Sequence, residues 1–170
     1  LGPNVPTSNI SGIDGKGILM AEKIGAATID MGLIQLLPTC DAKTGSTSTK
    51  MASGTCIYVN KDGKRFVNEL ANRKVRADAI MVEQTNGHRA VAICTLPNLK
   101  AYEVARPGML KKLVADGIVK EYKSLDEIAA DFKIPADELK KTVDGFNKAV
   151  TSKNDPEFGR YINTLYYERL

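Results

Sequence analysis

Short apolar runs in the first half of the chain predict β-strands. Residues 56–59 form one such run and predict a buried strand, and the Asp-Gly pair in residues 61–64 favours a tight hairpin turn. Residues 65–67 then predict the returning strand of the hairpin, and residues 89–95 predict a further buried strand. The mostly apolar residues 26–37 predict one or two additional short strands.

Apolar residues at three- and four-residue spacing predict helices elsewhere in the chain. The predicted helices cover residues 18–24, 76–84, 96–105, 107–116 and 125–132, followed by a helix that starts at Pro135. This last helix has the most regular apolar face, formed by Leu139, Val143, Phe146 and Val150. Because the predicted strands precede most of the helices and do not alternate with them, the pattern indicates the α+β class in a single domain over residues 1–170.

The composition is that of an ordinary globular domain. The 170 residues are 43% hydrophobic and 26% charged, and the net charge is +4. Basic residues are scattered, without the runs and interleaved aromatic residues that are typical of nucleic-acid-binding proteins, so no nucleic-acid partner is expected. No apolar run approaches the roughly 18 residues of a membrane span, so no span is predicted.

The histidine and cysteine residues argue against several kinds of catalytic site. A single histidine, His88, argues against a Ser-His-Asp triad and against a histidine-rich metal site. Cys40, Cys56 and Cys94 are widely spaced and form no CxxC pair, so no metal site is predicted. Cys56 and Cys94 lie in apolar runs and are predicted to be buried hydrophobic residues.

Arg73 is the main candidate functional residue that the pattern offers. It follows the predicted hairpin and precedes the predicted helix at residues 76–84, so its guanidinium would be held rigidly. A rigidly held guanidinium suits a catalytic or binding role, whereas a solvated surface cation is the simpler interpretation of the pattern alone.

Two other segments each have two interpretations. Gly12, Gly15 and Gly17 precede the first predicted helix, where exposed N–H groups can bind an anion. Their order is G-x-x-G-x-G and no predicted strand precedes them, which favours a loop that simply allows close packing. Residues 39–53 are rich in Ser, Thr, Gly and Lys, and form either a functional loop or a disordered one.

Five segments, taken in order, carry a family signature. They are DGKGILMAEKIGAATIDMGLIQLLPT, CIYVNKDGKRFVNE, an Asn-Arg pair, FKIPADELKKTVDGFNKAV and LYYERL. Together they cover nearly the whole chain and resemble the capping (clamp) domain of the fumarate reductase-like flavoproteins. This group includes soluble fumarate reductases, urocanate reductase and other FAD-dependent enoate reductases. The most specific pieces are the GKRFVNE hairpin followed by an arginine, and the IQ-x-x-PT motif.

The resemblance implies a domain organisation and a cofactor. In this family the capping domain is inserted between two halves of an FAD-binding domain, so residues 1–170 are expected to be a single capping domain, excised or separately encoded. FAD would then be held by the flanking flavin domain of the complete protein, with only weak contacts from Gly15, Lys16 and Gly17. The isolated chain is expected to be inactive in redox chemistry.

The resemblance also implies a reaction and its residues. In the complete protein, hydride would pass from reduced flavin to one carbon of an unsaturated carboxylate, and Arg73 would protonate the other carbon. Ser48 and Thr49 match a Thr-Glu pair that binds the substrate carboxylate and relays protons in the family, and Leu37 replaces a substrate-binding histidine. Ala52 replaces a second arginine of the proton relay.

These departures from the family pattern leave three hypotheses. The first is a reductase that acts on a 2-enoate less polar than fumarate, because Arg73 is retained and Leu37 offers an apolar wall where the family has a histidine. Lys16, which replaces an acidic residue of the family, is a further departure. The second is a degenerate capping domain that serves as a ligand-binding or interaction module, since the relay residues are lost. A third, a basic adaptor for nucleic acid, has only the +4 charge in its favour.

Overall fold

The computed structural model describes residues 6–38, 40, 56–95, 97, 99 and 107–162. The elements with bounds in these residues are α1 (Lys16–Lys23), β1 (Ile57–Val59), α2 (Arg73–Thr85), β2 (Val91–Ile93), α3 (Met109–Ala115), α4 (Leu125–Phe132) and α5 (Ala136–Ser152). Helices together with a small antiparallel sheet agree with the predicted α+β class. One helix precedes β1 and another lies between the two strands, so the strands do not all come before the helices. Most of the predicted helix at 96–105 lies outside the described residues. Among the described residues, no helix is long and apolar enough to cross a membrane.

The sheet pairs two strands that are distant in sequence. β1 and β2 run antiparallel, with Ile57 opposite Ile93 and Val59 opposite Val91. The prediction that residues 65–67 form the partner strand of β1 is wrong, because only Arg65 forms a bridge, to Val59. The reason is local: the carboxylate of Glu69 accepts the N–H of Tyr58 at 3.1 Å, so a side chain satisfies a group that a second strand would otherwise have bonded.

β1 lies between two apolar clusters. Ile57 and Val59 pack in the larger cluster, together with the buried face of α5. That face contains Leu139, Val143, Phe146 and Val150, as predicted from their spacing. Cys56 and Tyr58 face the other way and pack in a smaller cluster with residues of α2. All three residues of β1 are therefore buried.

The turn after β1 packs directly on the start of α5. Gly63 has a φ of 74°, and a Cβ at this position would lie 2.9 Å from the backbone nitrogen of Leu139. The hydroxyl of Thr142 donates to the carbonyl of Gly63 at 2.6 Å. A glycine is required here because both the backbone conformation and the close approach exclude a side chain.

α1 and the residues that follow it lie away from the two clusters. No residue of α1 is buried, and Ile24, Ile29 and Leu33 are 88%, 82% and 78% exposed. The prediction of short strands in residues 26–37 is wrong, because in the described part of the chain these apolar residues have no partner strand. We call the exposed large apolar residues of α1 and of the segment after it the α1 apolar surface. They are Ile18, Leu19, Met20, Ile24, Ile29, Met31, Leu33 and Ile34.

Candidate functional site

Arg73 is the first residue of α2 and is exposed. The helix begins here, three residues before the predicted start, because Asn72 caps it. The side-chain oxygen of Asn72 accepts the N–H of Val75 at 3.0 Å, which satisfies one of the free N–H groups of the first turn. The guanidinium of Arg73 is thus attached to a well-defined helix start.

The guanidinium of Arg73 contacts the IQ-x-x-PT motif. Its Nη1 donates a hydrogen bond to Oε1 of Gln35 at 2.8 Å, across 38 residues of sequence. In the part of the chain that the structure describes, Arg73 forms no ion pair with a carboxylate. The two motifs that are most specific to the resemblance therefore meet at Arg73, and its partner there is a neutral amide.

The other predicted substrate-binding residues divide into two groups. Leu37 follows Gln35 by two positions and is half-buried, so an apolar side chain lies in the same short segment as the partner of Arg73. Ser48 and Thr49 lie outside the described residues, as does Ala52. Gln35 itself was not among the predicted site residues, and its place in the motif beside Leu37 was the available signal.

A network of four buried charged residues includes Glu69, which lies four positions before Arg73. Oε1 of Glu69 accepts from Nε of Arg65 at 2.9 Å, and Oε2 of Glu69 accepts from Nη1 of Arg160 at 2.9 Å. Nη1 and Nη2 of Arg65 also donate to the two oxygens of Asp155, at 3.1 and 2.9 Å. We call Arg65, Glu69, Asp155 and Arg160 the buried ion network. It ties the turn before α2 to the segment after α5.

The buried ion network balances two positive and two negative charges away from water. The four side chains are at most 1% exposed. Burial opposes the charge of Arg65, but the hydrogen bonds to Glu69 and Asp155 outweigh burial and raise the pKa of Arg65. Burial likewise acts to raise the pKa of Asp155, but the hydrogen bond and charge of Arg65 outweigh it and lower that pKa. The guanidinium groups of Arg65 and Arg160 also lie over the ring of Phe146, at 5.2 and 5.0 Å from its centroid.

Arg76 was not among the predicted site residues. It lies one helical turn after Arg73 and is half-buried. Its Nε and Nη1 atoms are buried without a hydrogen-bond acceptor in the described residues. Arg76 also hydrogen-bonds with the side chain of Tyr58; burial raises the pKa of that phenol, and Arg76 opposes the increase. The three-residue spacing from Arg73 was the signal that could have identified it.

The glycine segment before α1 does not form a cradle for a cofactor within the described residues. Gly15 is the N-cap of α1 with a φ of 77°, and a Cβ at Gly15 or Gly17 would have no atom within 4 Å. The carboxylate of Asp14 already accepts the N–H of Lys16 at 3.1 Å and pairs with its ammonium at 2.7 Å. No described strand precedes α1. The described residues therefore lack a complete dinucleotide-binding site.

Comparisons with known proteins agree on one family. The model of the family described as "FAD binding domain" matches residues 2–168. The chain is 30% identical to the NADH:acrylate oxidoreductase of Vibrio harveyi over 98% of its own length and 16% of that protein. It is 36% identical to the urocanate reductase of Eggerthella lenta over 86% of its length and 25% of that protein. The chain thus spans a quarter or less of these relatives.

A solved structure supports the same assignment. The open conformation of a flavocytochrome c3 fumarate reductase matches 95% of this chain and 28% of its own, with a TM-score of 0.68 and 26% identity. Family match, relatives and fold all agree with the resemblance seen in the sequence. The chain belongs to the FAD-binding flavoprotein family that includes the fumarate, urocanate and acrylate reductases, and the cofactor of this family is FAD.

Proposed function

We propose that the chain is the substrate-capping domain, over residues 1–170, of an FAD-dependent reductase that reduces the activated C=C bond of a 2-enoate. Arg73 delivers the proton in this reaction. The observation that carries the proposal is the hydrogen bond from Arg73 to Gln35, because it joins two family motifs at an exposed guanidinium without a carboxylate partner in the described residues.

The position of Arg73 suits an anionic substrate. An arginine that already pairs with carboxylates, as Arg65 does, has its hydrogen-bonding groups committed. Arg73 contacts only a neutral amide in the described part of the chain, so its remaining N–H groups can meet a substrate carboxylate or a developing carbanion. The start of α2 adds to this attraction, since the N-terminus of a helix favours nearby negative charge.

Proton transfer from a guanidinium requires a dry site. The flavin, bound by the complete protein and in its reduced form, would supply hydride to one alkene carbon. Arg73 then gives its proton to the neighbouring carbon, and the electron pair of the breaking N–H bond returns to the guanidine nitrogen. A guanidinium in water is a very weak acid, so closure of the capping domain over the substrate must exclude water. Leu37 is half-buried and lies two positions after Gln35, and we infer that it contributes an apolar wall to the closed site.

The proposed substrate class follows from the residues around Arg73. The named relatives act on acrylate and urocanate, which are both unsaturated carboxylates. Leu37 replaces a histidine of the family motif, and an apolar wall favours a less polar 2-enoate over a dicarboxylate. Ser48 provides a hydroxyl for the substrate, whereas Thr49 and Ala52 leave the reprotonation of Arg73 to other groups.

The flanking FAD-binding domain of the complete protein is the proposed partner. The α1 apolar surface contains eight large side chains that are 44% to 88% exposed. Large apolar side chains left exposed in such number are typical of an interface. The flavin domain would cover it and hold FAD, with Gly15, Lys16 and Gly17 at the border of the cofactor. This arrangement agrees with the small share of each relative that the chain spans.

Replacement of Arg73 in the full-length protein tests the proposal. Arg73→Ala should lower the rate of alkene reduction by about 10²- to 10⁴-fold, the usual contribution of a positioned proton donor, with unchanged FAD content. Arg73→Lys should recover little activity, because lysine retains the charge but loses the planar fork. Lys74→Ala is the matched control: it removes a neighbouring exposed cation, paired with Asp78 at 2.5 Å, and should leave turnover unchanged.

Two results would contradict the proposal. Unimpaired turnover of Arg73→Ala would exclude the role of proton donor. Tight binding of an enoate by the reduced wild-type protein, with no reduction of any member of an enoate panel, would instead establish a binding module without redox activity.

A further inference from the structure

Cys56 and Cys94 occupy facing positions across the sheet. Ile57 lies opposite Ile93 and Tyr58 lies opposite Ala92, so one further step along the antiparallel register brings Cys56 opposite Cys94. Facing residues of an antiparallel pair have Cα atoms about 4.5–5.5 Å apart. This separation lies within the roughly 4.4–6.8 Å that a disulfide spans. Both residues are thiols and are not joined to each other in this structure.

The two thiols interact and their backbone is fixed. The side chain of Cys56 hydrogen-bonds with that of Cys94; this lowers the pKa of the Cys94 thiol, against the opposing effect of burial. Nη1 of Arg160 donates to the carbonyl of Cys56 at 2.8 Å, which anchors this end of β1 to the buried ion network. The pairing of β1 with β2 therefore fixes the backbone next to both cysteines, and Arg160 also holds the carbonyl of Cys56.

A cavity borders both cysteines. It has a volume of about 360 Å³, and its walls include Cys56, Cys94, Ile93, Val119 and Phe132. Cys56 is only 1% exposed, whereas Cys94 is half-buried, so Cys94 is the more accessible thiol. A cavity of this size accommodates a small ligand.

We propose that Cys56 and Cys94 form a redox-active pair, which a small hydroperoxide entering this cavity converts into a cross-strand disulfide. The thiolate of Cys94 attacks the peroxide, the O–O bond breaks, and an alcohol or water leaves with the proton of the thiol. The product is a sulfenic acid on Cys94. Cys56 then attacks the sulfur of this sulfenic acid, the S–O bond breaks, and water leaves as the S–S bond forms. Two thiols are oxidised by two electrons while one peroxide is reduced.

The roles of the two cysteines follow from their surroundings. A thiolate is the reactive form of cysteine, and the interaction with Cys56 favours that form at Cys94. Cys94 is also the thiol with more exposure, which assigns it the first attack. Cys56 lies directly opposite and is shielded from solvent, so it resolves the sulfenic acid within the pair.

Peptide mapping of the full-length protein tests this proposal. The native protein is treated with hydrogen peroxide, the remaining thiols are alkylated, and the chain is digested with trypsin. Tryptic cleavage places Cys56 in residues 51–61 and Cys94 in residues 90–100, one cysteine in each. We expect these two peptides to be linked, with a combined mass lower than their sum by two hydrogen atoms. Dithiothreitol should separate them.

Cys40 provides the internal control, because it lies in a third tryptic peptide, residues 24–43. Cys40→Ser should leave the link intact, and Cys94→Ser should abolish it. Cys56→Ser should leave a sulfenic acid on Cys94 that dimedone labels. The proposal is wrong if both peptides are alkylated at a peroxide concentration that oxidises Cys40, or if the link in the native protein joins Cys40 to one of the pair.

Discussion

The buried ion network and the start of α2 each contain an arginine, but the two arginines differ in burial and in the charge of their partners. Arg65 is 1% exposed and binds the carboxylates of Glu69 and Asp155 at 2.8 and 2.9 Å. Arg73 is exposed and binds the neutral amide of Gln35. In the low dielectric of the interior, a paired charge is costly to disturb, whereas an exposed charge with a neutral partner can take a new one. The first arginine therefore fixes the structure and the second remains available for chemistry.

The two regions are connected through Glu69. This residue accepts hydrogen bonds from Arg65 and Arg160 and from the N–H of Tyr58, and it precedes Arg73 by four positions. The buried network thus positions the turn from which α2 and its first residue extend. The following predictions test how far the two regions differ.

Loss of Glu69 should have the largest effect on stability. Glu69→Ala leaves two buried guanidinium groups short of a carboxylate and should lower the free energy of unfolding by about 3–5 kcal/mol. Denaturant unfolding measures this change. Glu157→Ala is the matched control, because Glu157 contacts the same Arg65 at 3.4 Å but its side chain is 51% exposed. Its cost should stay below about 1 kcal/mol, and equal costs for the two variants would refute the contrast.

Asp155 should give the next largest effect, and this effect should depend on pH. Asp155→Asn removes charge from the hydrogen bonds to Arg65 and should cost about 1.5–3 kcal/mol at neutral pH. The lowered pKa of Asp155 means that its stabilisation is complete above the unfolded pKa of about 3.9, and is lost as pH falls through the lower folded value. The difference between wild type and variant should therefore shrink below about pH 4.

Unfolding curves collected over a pH series test this prediction. Burial raises the pKa of Glu157, so protonation of Glu157 has the opposite sign and partly compensates as the pH falls. Asp155→Asn should be compared in a Glu157→Gln background to remove this contribution. A stability difference between Glu157→Gln and the double variant with Asp155→Asn that stays constant down to pH values well below the unfolded pKa would contradict the assignment.

Asn72→Ala should have a smaller effect at the junction of the two regions. Loss of the N-cap of α2 should cost about 1 kcal/mol, because the N–H of Val75 loses its acceptor. In the full-length protein it should also slow alkene reduction, since Arg73 is the next residue. Asn86→Ala is the control at the other end of α2, where the described cap uses backbone groups. A thermal unfolding series of the two variants distinguishes them.

Changes at Arg73 and Gln35 should have the smallest effect on stability. Arg73→Ala and Gln35→Ala remove an exposed contact and should each change the free energy of unfolding by no more than about 0.5 kcal/mol. Both should nevertheless reduce turnover of the full-length protein, and Gln35→Ala should do so less. A loss of stability comparable to that of Glu69→Ala would mean that Arg73 is a structural residue.

Local patterns predicted the elements whose causes are local. α4 has the bounds predicted from its sequence, since Ser124 accepts the N–H of Glu127 at 3.2 Å and starts the helix. The buried face of α5 followed from the spacing of its apolar residues. The family and its cofactor followed from ordered motifs along nearly the whole chain. The cap and the apolar spacing can each be read from a short stretch of residues, and the family can be read from the order of its motifs along the chain.

Contacts between distant residues could not be predicted in this way. The strand partner of β1 is β2, which lies more than 30 residues further along the chain, and on the hairpin side Glu69 takes the N–H of Tyr58. Arg65 and Asp155 are 90 residues apart, so no local spacing reveals that they form a pair. Arg73 and Gln35 are 38 residues apart, so local spacing does not reveal their contact either. The roles of Ser48 and Thr49 stay predictions.

The buried ion network also limits how the sequence of this chain can diverge. A single replacement at Arg65, Glu69, Asp155 or Arg160 leaves an unpaired charge in the interior, so the intermediate in any stepwise change is strongly destabilised. These four positions should therefore change together or stay as they are, whatever substrate the complete protein uses. Gln35 and Leu37 are not part of this network, so each of these two positions can change by itself without leaving a buried charge.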